Sequence, residues 1–441
     1  MKTSKMTNLF DWKKLLVLAV LILFAGCSGG GSGAATALDS DTRTSLESNT
    51  DTSPDADSGT SPDEDTGTSP DADNDTPPDE DTSNPPDADT GSSGAAAAWI
   101  PALGENDWSY RQQISLSAAL ADADQTGFPC LIRITDIGNP VFSRAQADGS
   151  DIVFTDSDGT TELMHEIETF DPVNRVLEIW VRLPLLSAAA DTVIFMYYGN
   201  AGLAVSMENP AAVWDNDYAL VYHLDNRFED STGTSDATDV DTVDAAGKVA
   251  RARNFDGVDD YIMTHWGDDA AEKLQRFTFA CWVYADYLPN TDFDEGIVHK
   301  TQGGMLSWSH HNDKFRGAIG LKASAGGWQG AGFNIGGGDL GRWVYLVGTY
   351  TSGSLRAYKD GALEAENTRA KGAPDPKGEN WAITIGKHAQ TDFVGPEHFF
   401  GGSIDEVRIS RVDRSGAWIA ASYRNQADPQ AYQQLSAEEA R

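Results

Sequence analysis

Acids, histidines and tryptophans stand at chemically suggestive spacings in three places of this 441-residue chain. In Glu166-Ile-Glu168-Thr-Phe-Asp171 the carboxylates are two and five residues apart. On a strand, residues two apart share a face with alpha carbons about 6.6 Å apart, so the acids can approach the roughly 5 to 5.5 Å that retaining glycoside hydrolysis needs. A charged, exposed strand face uses the same pattern, and that plainer reading is adopted. A second group lies in glycine-rich loops: Trp308, His310, His311, Asp313, Trp328, Phe333, His388, Phe393 and His398. Sugar rings lay their C–H faces on aromatic planes while polar side chains bond the hydroxyls. Trp308 and Trp328 are the expected stacking rings, with His310 and Asp313 as polar partners. A zinc site at His310-His311 is set aside, because adjacent strand residues point to opposite faces. Third, Asp71-Ala-Asp73-Asn-Asp75 has the alternating carboxylates of a calcium loop, but Thr76 stands at the glycine position and Thr82 at the closing glutamate.

The elements that carry these residues follow a leader and a tether. Lys13 and Lys14 precede the apolar run Leu15 to Ala25, too short to span a bilayer, for which about 20 residues are needed. Phe24-Ala25-Gly26-Cys27 resembles the lipobox of bacterial lipoproteins, which implies a diacylglyceryl anchor on Cys27 and cleavage after residue 26. Phe24 departs from the usual leucine, and Ser28 favours sorting to the outer membrane. Residues 1–27 are therefore read as a lipoprotein signal. Residues 28–98 form an eight-residue repeat opening at Thr52, Thr60, Thr68, Thr76 and Asn84, with 17 acidic residues against one arginine. So polar and like-charged a segment cannot offset its ordering entropy, and a disordered spacer of about 45 Å or more is expected.

The remaining chain is globular in composition and still acidic within a net charge of −36, which excludes a nucleic-acid footprint. Cys130 and Cys281 each sit in an apolar strand-like run and are expected as buried free thiols. Residues 99–205 alternate in period two through Tyr110–Leu116, Phe128–Ile134, Asp151–Phe154, Val176–Leu183 and Thr192–Tyr198, the pattern of a small antiparallel sandwich. The strings Trp108-Ser-Tyr-Arg-Gln-Gln-Ile114, Ala147-Asp-Gly-Ser-Asp-Ile-Val-Phe154, His165-Glu-Ile-Glu168 and Phe195-Met-Tyr-Tyr-Gly-Asn200 resemble a bacterial domain of unknown function (DUF2341-like). That resemblance supplies no activity.

Residues 214–433 read as a larger sandwich, with strands at Phe277–Val283 and Arg342–Tyr350 and a hairpin turning at Asp360-Gly361. Asn254-Phe-Asp-Gly-Val-Asp-Asp-Tyr-Ile262, Tyr358-Lys-Asp-Gly361 and Gly402-Ser-Ile-Asp-Glu-Val-Arg-Ile409 resemble the laminin-G-like, concanavalin A-like lectin/glucanase superfamily. The resemblance implies two face-to-face antiparallel sheets, core roles for Phe255, Trp282, Trp343 and Tyr350, and a structural calcium held by Asp405 and Asp256, with Asp225, Asp259 and Asp260 nearby. From Arg414 to Gln426 the spacing is helical, with Ile419 and Tyr423 four apart to dock on the sandwich.

This segment carries no Glu-x-Asp-x-x-Glu, Gly-x-Ser-x-Gly, His-Glu-x-x-His or phosphate loop. The expectation is an all-β protein of two antiparallel sandwiches behind an acidic tether, lipid-anchored in the bacterial envelope and touching the membrane through its anchor alone. It is expected to bind an extracellular glycan or other polymer and not to be an enzyme. A polysaccharide hydrolase or lyase with an unrecognised site, and a structural adhesin spacer, are the alternatives.

Overall fold

The structure, a computed structural model, describes residues 98–100, 107–225, 227–266, 274–288, 294–300, 303–311, 314–323, 327–374, 383–389, 395 and 398–441. The lipobox with Cys27, the tether to residue 97, Asp313 and Phe393 lie outside the described residues. Residues Thr90 to Arg441 cluster as one compact unit.

The first sandwich is built from β1 (Tyr110–Leu116), β2 (Gln125–Ile134), β3 (Val153–Asp156), β4 (Glu162–Leu163), β5 (His165–Asp171), β6 (Val176–Leu186) and β7 (Thr192–Tyr198). β2, β6 and β5 form one antiparallel sheet, and β1, β7, β3 and β4 pair in the other. The period-two alternation works as expected: Ile114 and Leu116 of β1 face Ile194 and Met196 of β7 and Ile132 of β2 in one core.

The second sandwich comprises β8 (Tyr218–Tyr222), β9 (Ala237–Val240), β10 (Val243–Ala246), β11 (Arg251–Asp256), β12 (Tyr261–Thr264), β13 (Phe277–Tyr284), β14 (Asp294–Lys300) and β15 (Gly304–His311). It continues through β16 (Lys314–Ala323), β17 (Gly327–Asn334), β18 (Trp343–Thr351), β19 (Ser354–Lys359), β20 (Ala362–Asn367), β21 (Thr384–Ile385) and β22 (Gly401–Ser410). One sheet runs β10-β11-β22-β13-β18-β19-β20 with β8 beside β22, and the other runs β17-β16-β15-β14-β21-β12-β9. Phe279, Val283, Leu346 and Tyr350 of the first meet Leu306, Phe333 and Ile385 of the second in a shared core. Asp360 and Gly361 have φ of 50° and 78°, the left-handed pair that the β19–β20 turn requires.

The helix Gly416–Ala427, capped by Ser415 Oγ accepting from the Trp418 amide, joins the two sandwiches. Trp418 enters the first core against Phe128, while Ile419 and Tyr423 pack on Trp282 and Tyr345 of the second. Asn425 accepts from Leu131 N and donates to Leu131 O, and Gln426 accepts from Trp282 Nε1. The expected boundary at residue 433 is corrected by the chain's last strands. β23 (Gln433–Leu435) and β24 (Glu439–Ala440) return to pair with β1 and complete the first sandwich. Cys130 and Cys281 are buried and free, and burial pushes the Cys130 thiol up to about 12.

Candidate functional site

Two places gather functional side chains: the seam between the sandwiches and the outer faces of the second one. At the seam, β5 of the first sandwich presents Glu166 and Glu168 on one face, as their spacing requires. That face is buried, not exposed as expected, because His223, Trp180, Trp214 and Ser231 close over it, with Glu406 of β22 on the far side of His223. β22 carries a bulge opposite Ala280 and Trp282 of β13, where Glu406 adopts a φ of 53°. The bulge breaks the alternation, so Asp405, Glu406 and Arg408 are all buried without joining the inner core row of Ile404, Val407 and Ile409. His223 follows β8 and stands among these acids. Its Nδ1 lies 2.7 Å from Glu406 Oε1 and 3.4 Å from Glu168 Oε2, and its Nε2 lies 3.2 Å from Glu166 Oε2. The indoles of Trp214 and Trp180 donate to Glu166 and Glu168, Ser231 Oγ donates to Glu166, and Arg408 pairs with Glu406.

Electrostatics follow from this crowding. Burial alone would lower His223, but Glu406, Glu168 and Glu166 outweigh it and hold the imidazole well above its ordinary value. Burial would likewise raise Glu166, yet His223, Trp214 and Ser231 bring it down to about 2. Glu168 is the surplus acid: burial and the neighbouring Glu406 raise it well above the usual carboxylate range. Beside this cluster opens a cleft of about 370 Å³, lined by Glu166 and His223 and by Glu208, Asp225, Arg227 and Glu229.

On the seven-stranded sheet, the two expected stacking rings part company. Trp308 lies on the inner face of β15, opposite Gly317, with 1% of its surface exposed and its ring edge-on to Phe400. It belongs to the core, so it cannot hold a sugar, and this corrects the sequence reading. Trp328 on the edge strand β17 is 53% exposed. Its neighbours Ala331 and Phe333 point into the core while Gly330 and Asn334 face out. The ring lies beside Gly320 of β16, with Cε3 3.5 Å from where a Cβ there would stand. His310 pairs in register with Phe315 on β15 and β16, and Asp313 lies outside the described residues.

Residues 148–243 match the family model for a domain of unknown function (DUF2341), and residues 256–420 match that of the concanavalin A-like lectin/glucanases superfamily. Residues 256–420, which hold β12 to β22 of the second sandwich, form a concanavalin A-like lectin/glucanases superfamily domain, while β8 and β9 of that sandwich fall within the DUF2341 match. Among solved structures, domain 4 of an extracellular GH43 arabinanase from Geobacillus stearothermophilus, in complex with arabinotriose, is 18% identical. It covers 46% of this chain and 97% of that chain at a TM-score of 0.37. The binding domain of Paraclostridial Mosquitocidal Protein 1 is 10% identical, covering 47% of this chain and 52% of that one at 0.39. The botulinum neurotoxin serotype D ligand binding domain in complex with N-acetylneuraminic acid is 14% identical, covering 49% and 53% at 0.39. The chain thus spans about half the length of those two toxin domains. No curated protein matches it.

The concanavalin A-like domain exposes a second aromatic surface that the sequence reading missed. Val243, Asn254, Ser403, Tyr284 and Trp343 follow one another in register across β10, β11, β22, β13 and β18. Asn254 Nδ2 donates to Ser403 Oγ, and the Tyr284 and Trp343 rings meet edge to face at 5.7 Å. Trp343 was expected in the core; it is half-buried, because the helix covers Trp282 and Tyr345 and stops short of it.

In the same domain the expected calcium pair is separated. Asp405 is wholly buried and its Oδ2 accepts from the amides of Lys248 and Val249, tying down the β10–β11 turn. Asp256 pairs in register with Gly401, four residues from Asp405 along β22, or about 13 Å of strand. The two therefore cannot ligate one ion, a correction to the sequence reading. Asp256 Oδ1 instead accepts from Val258 N and Asp259 N, the turn role of a residue before glycine. Its carboxylate gathers with those of Asp259 and Asp260, each offering an oxygen within 4.8 Å of the others. Asp225 pairs with Arg227 in the seam cleft, away from that turn.

Proposed function

We propose that the protein is a non-catalytic carbohydrate-binding protein, held in the bacterial envelope by a lipid on Cys27 and reaching its glycan through the concanavalin A-like domain. The observation that carries this reading is the open Trp328 ring on a glycine-lined strand edge, where an apolar sugar face can stack without displacing a side chain. Tyr284 and Trp343, beside the neutral Asn254 and Ser403, offer a second such surface. The net negative charge of the chain favours a neutral polymer over an acidic one. The acid pair Glu166 and Glu168 is assigned to the seam, since donors from Trp214, Ser231, His223 and Trp180 already engage it. The expected structural calcium moves in this reading from Asp405 to the Asp256–Asp259–Asp260 turn, supported by three carboxylates within reach of one another and by burial and like charges that raise the Asp260 carboxyl.

Retention on a panel of polysaccharides, with reducing ends assayed in parallel, tests this. Retention without release of sugar is expected. Release of reducing ends would make the protein a hydrolase, and absence of both would leave a structural spacer.

A further inference from the structure

Beside the helix that joins the two folded bodies, the seam between β5 and β22 is held through one ionisable ring. His223 is reached by Glu166 and Glu168 of β5, Glu406 of β22 and, at longer range, Asp405, while Glu178 stands near Glu168. Two cations besides the imidazole face the group, Arg408 on Glu406 and, toward the cleft, Arg227 on Asp225. Arg133 is committed to Glu178. The Trp180 and Trp214 rings close over the imidazole at 6.0 and 5.7 Å and keep bulk water from screening the acids. Backbone on the second sandwich's side of the contact is strained, with a φ of 58° at Leu224 and 53° at Glu406, neither of them glycine. The cleft lined by Glu166 and His223 gives a proton a route to the ring without unfolding either sandwich.

We propose that this seam is a proton-operated joint, closed while His223 bridges Glu166 and Glu406 as an imidazolium and loosened when the ring loses its proton. The neutral ring has one N–H to share between two carboxylates, and the surplus acid Glu168 then faces Glu406 with no cation between them. The opposing strands β5 and β22 relieve this by separating and admitting water through the cleft. The remaining contacts of the joint, the helix and the returning strands β23 and β24, keep the two sandwiches tethered. Loosening is therefore local.

The sign follows from the ring's raised affinity for a proton when closed. Closure is complete below about pH 6.5, the ordinary imidazole value, and weakens about tenfold per pH unit above it until the closed-state value is passed. Glu168 and Asp405, also raised, add slopes of the same sign from lower pH; Glu168 is removed and Asp405 is common to both variants, so the difference between them isolates the ring. The test is amide hydrogen exchange of the full chain, expressed as protection factors for Glu166–Glu168 and Asp405–Arg408 between pH 5 and 10. Glu168→Gln should keep the ring's tenfold-per-unit share of the fall above about pH 6.5, and Glu168→Gln/His223→Gln should lose that share. The Cε1 proton resonance of His223 in Glu168→Gln, read by NMR, should begin to titrate where the protection begins to level off. Protection that ignores pH in Glu168→Gln, an unchanged slope in the double variant, or a ring that titrates near its ordinary value would each overturn the proposal. The resonance alone decides it if the double variant does not fold.

Discussion

Nε2 of His223 lies 3.2 Å from Oε2 of Glu166, so a ring that follows β8 of the second sandwich is bonded to a strand of the first. Glu166 is the most heavily bonded acid of the contact, accepting also from Trp214 and Ser231.

Replacing Glu166 by glutamine removes one carboxylate from His223, which keeps Glu406 at 2.7 Å, and costs about 1.5 to 3 kcal/mol, the scale of a hydrogen bond to a charged group. Because Glu166 is held down at about 2, its stabilisation is present above about pH 4.5 and disappears as pH falls through about 2. Denaturant unfolding of wild type and Glu166→Gln at several pH values should show the difference at neutrality shrinking between those limits. A constant difference down to pH 2 would show that Glu166 is not the group responsible.

The two tryptophans of the seven-stranded sheet should behave oppositely. Trp308→Ala empties a core position and should cost about 3 to 5 kcal/mol, whereas Trp328→Ala should stay within about 0.5 kcal/mol. Urea midpoints decide this, and similar losses at both sites would place Trp328 inside the fold.

Asn425→Ala leaves the Leu131 amide and carbonyl of β2 without their partner on the helix, and should destabilise the protein by about 1 to 3 kcal/mol. The same substitution should raise hydrogen exchange in β2 more than in β13. Equal changes in both strands would deny the helix its role as a clamp on the first sandwich.

Calcium at the Asp256–Asp260 turn should raise the melting temperature by mass action, and Asp260→Asn should remove that rise. Asp405→Asn should leave the calcium response intact while lowering the melting temperature itself, since Asp405 serves the Lys248 and Val249 amides. A melt indifferent to chelator would remove calcium from the account.

Much of the fold was legible because alternation dictates it. Tyr110–Leu116 and Thr192–Tyr198 are β1 and β7 with the expected bounds, and Asp360-Gly361 turns its hairpin as read. What sequence could not show depends on which faces meet. Glu166 and Glu168 share a face as their spacing implies, but only the approach of His223 and Glu406 from the second sandwich decides that the face is covered. The bulge at Glu406 breaks the two-residue period, so Asp405 and Glu406 were read as the head of a strand and not as adjacent members of a buried seam. Trp308 and Trp328 had equivalent settings in glycine-rich sequence, and only strand parity, set by Gly317 and Lys322 opposite them, sends one in and the other out. The return of β23 and β24 to β1 spans more than three hundred residues and has no local signature.

The central claim, glycan recognition through Trp328, is tested most directly by measuring retention of wild type, Trp328→Ala and Tyr284→Ala/Trp343→Ala on the polysaccharide that the wild type holds best. The account predicts that Trp328→Ala weakens binding about thirtyfold, the equivalent of about 2 kcal/mol for an aromatic anchor, while its fold stays intact. Full retention by Trp328→Ala together with full retention by the double variant would contradict it.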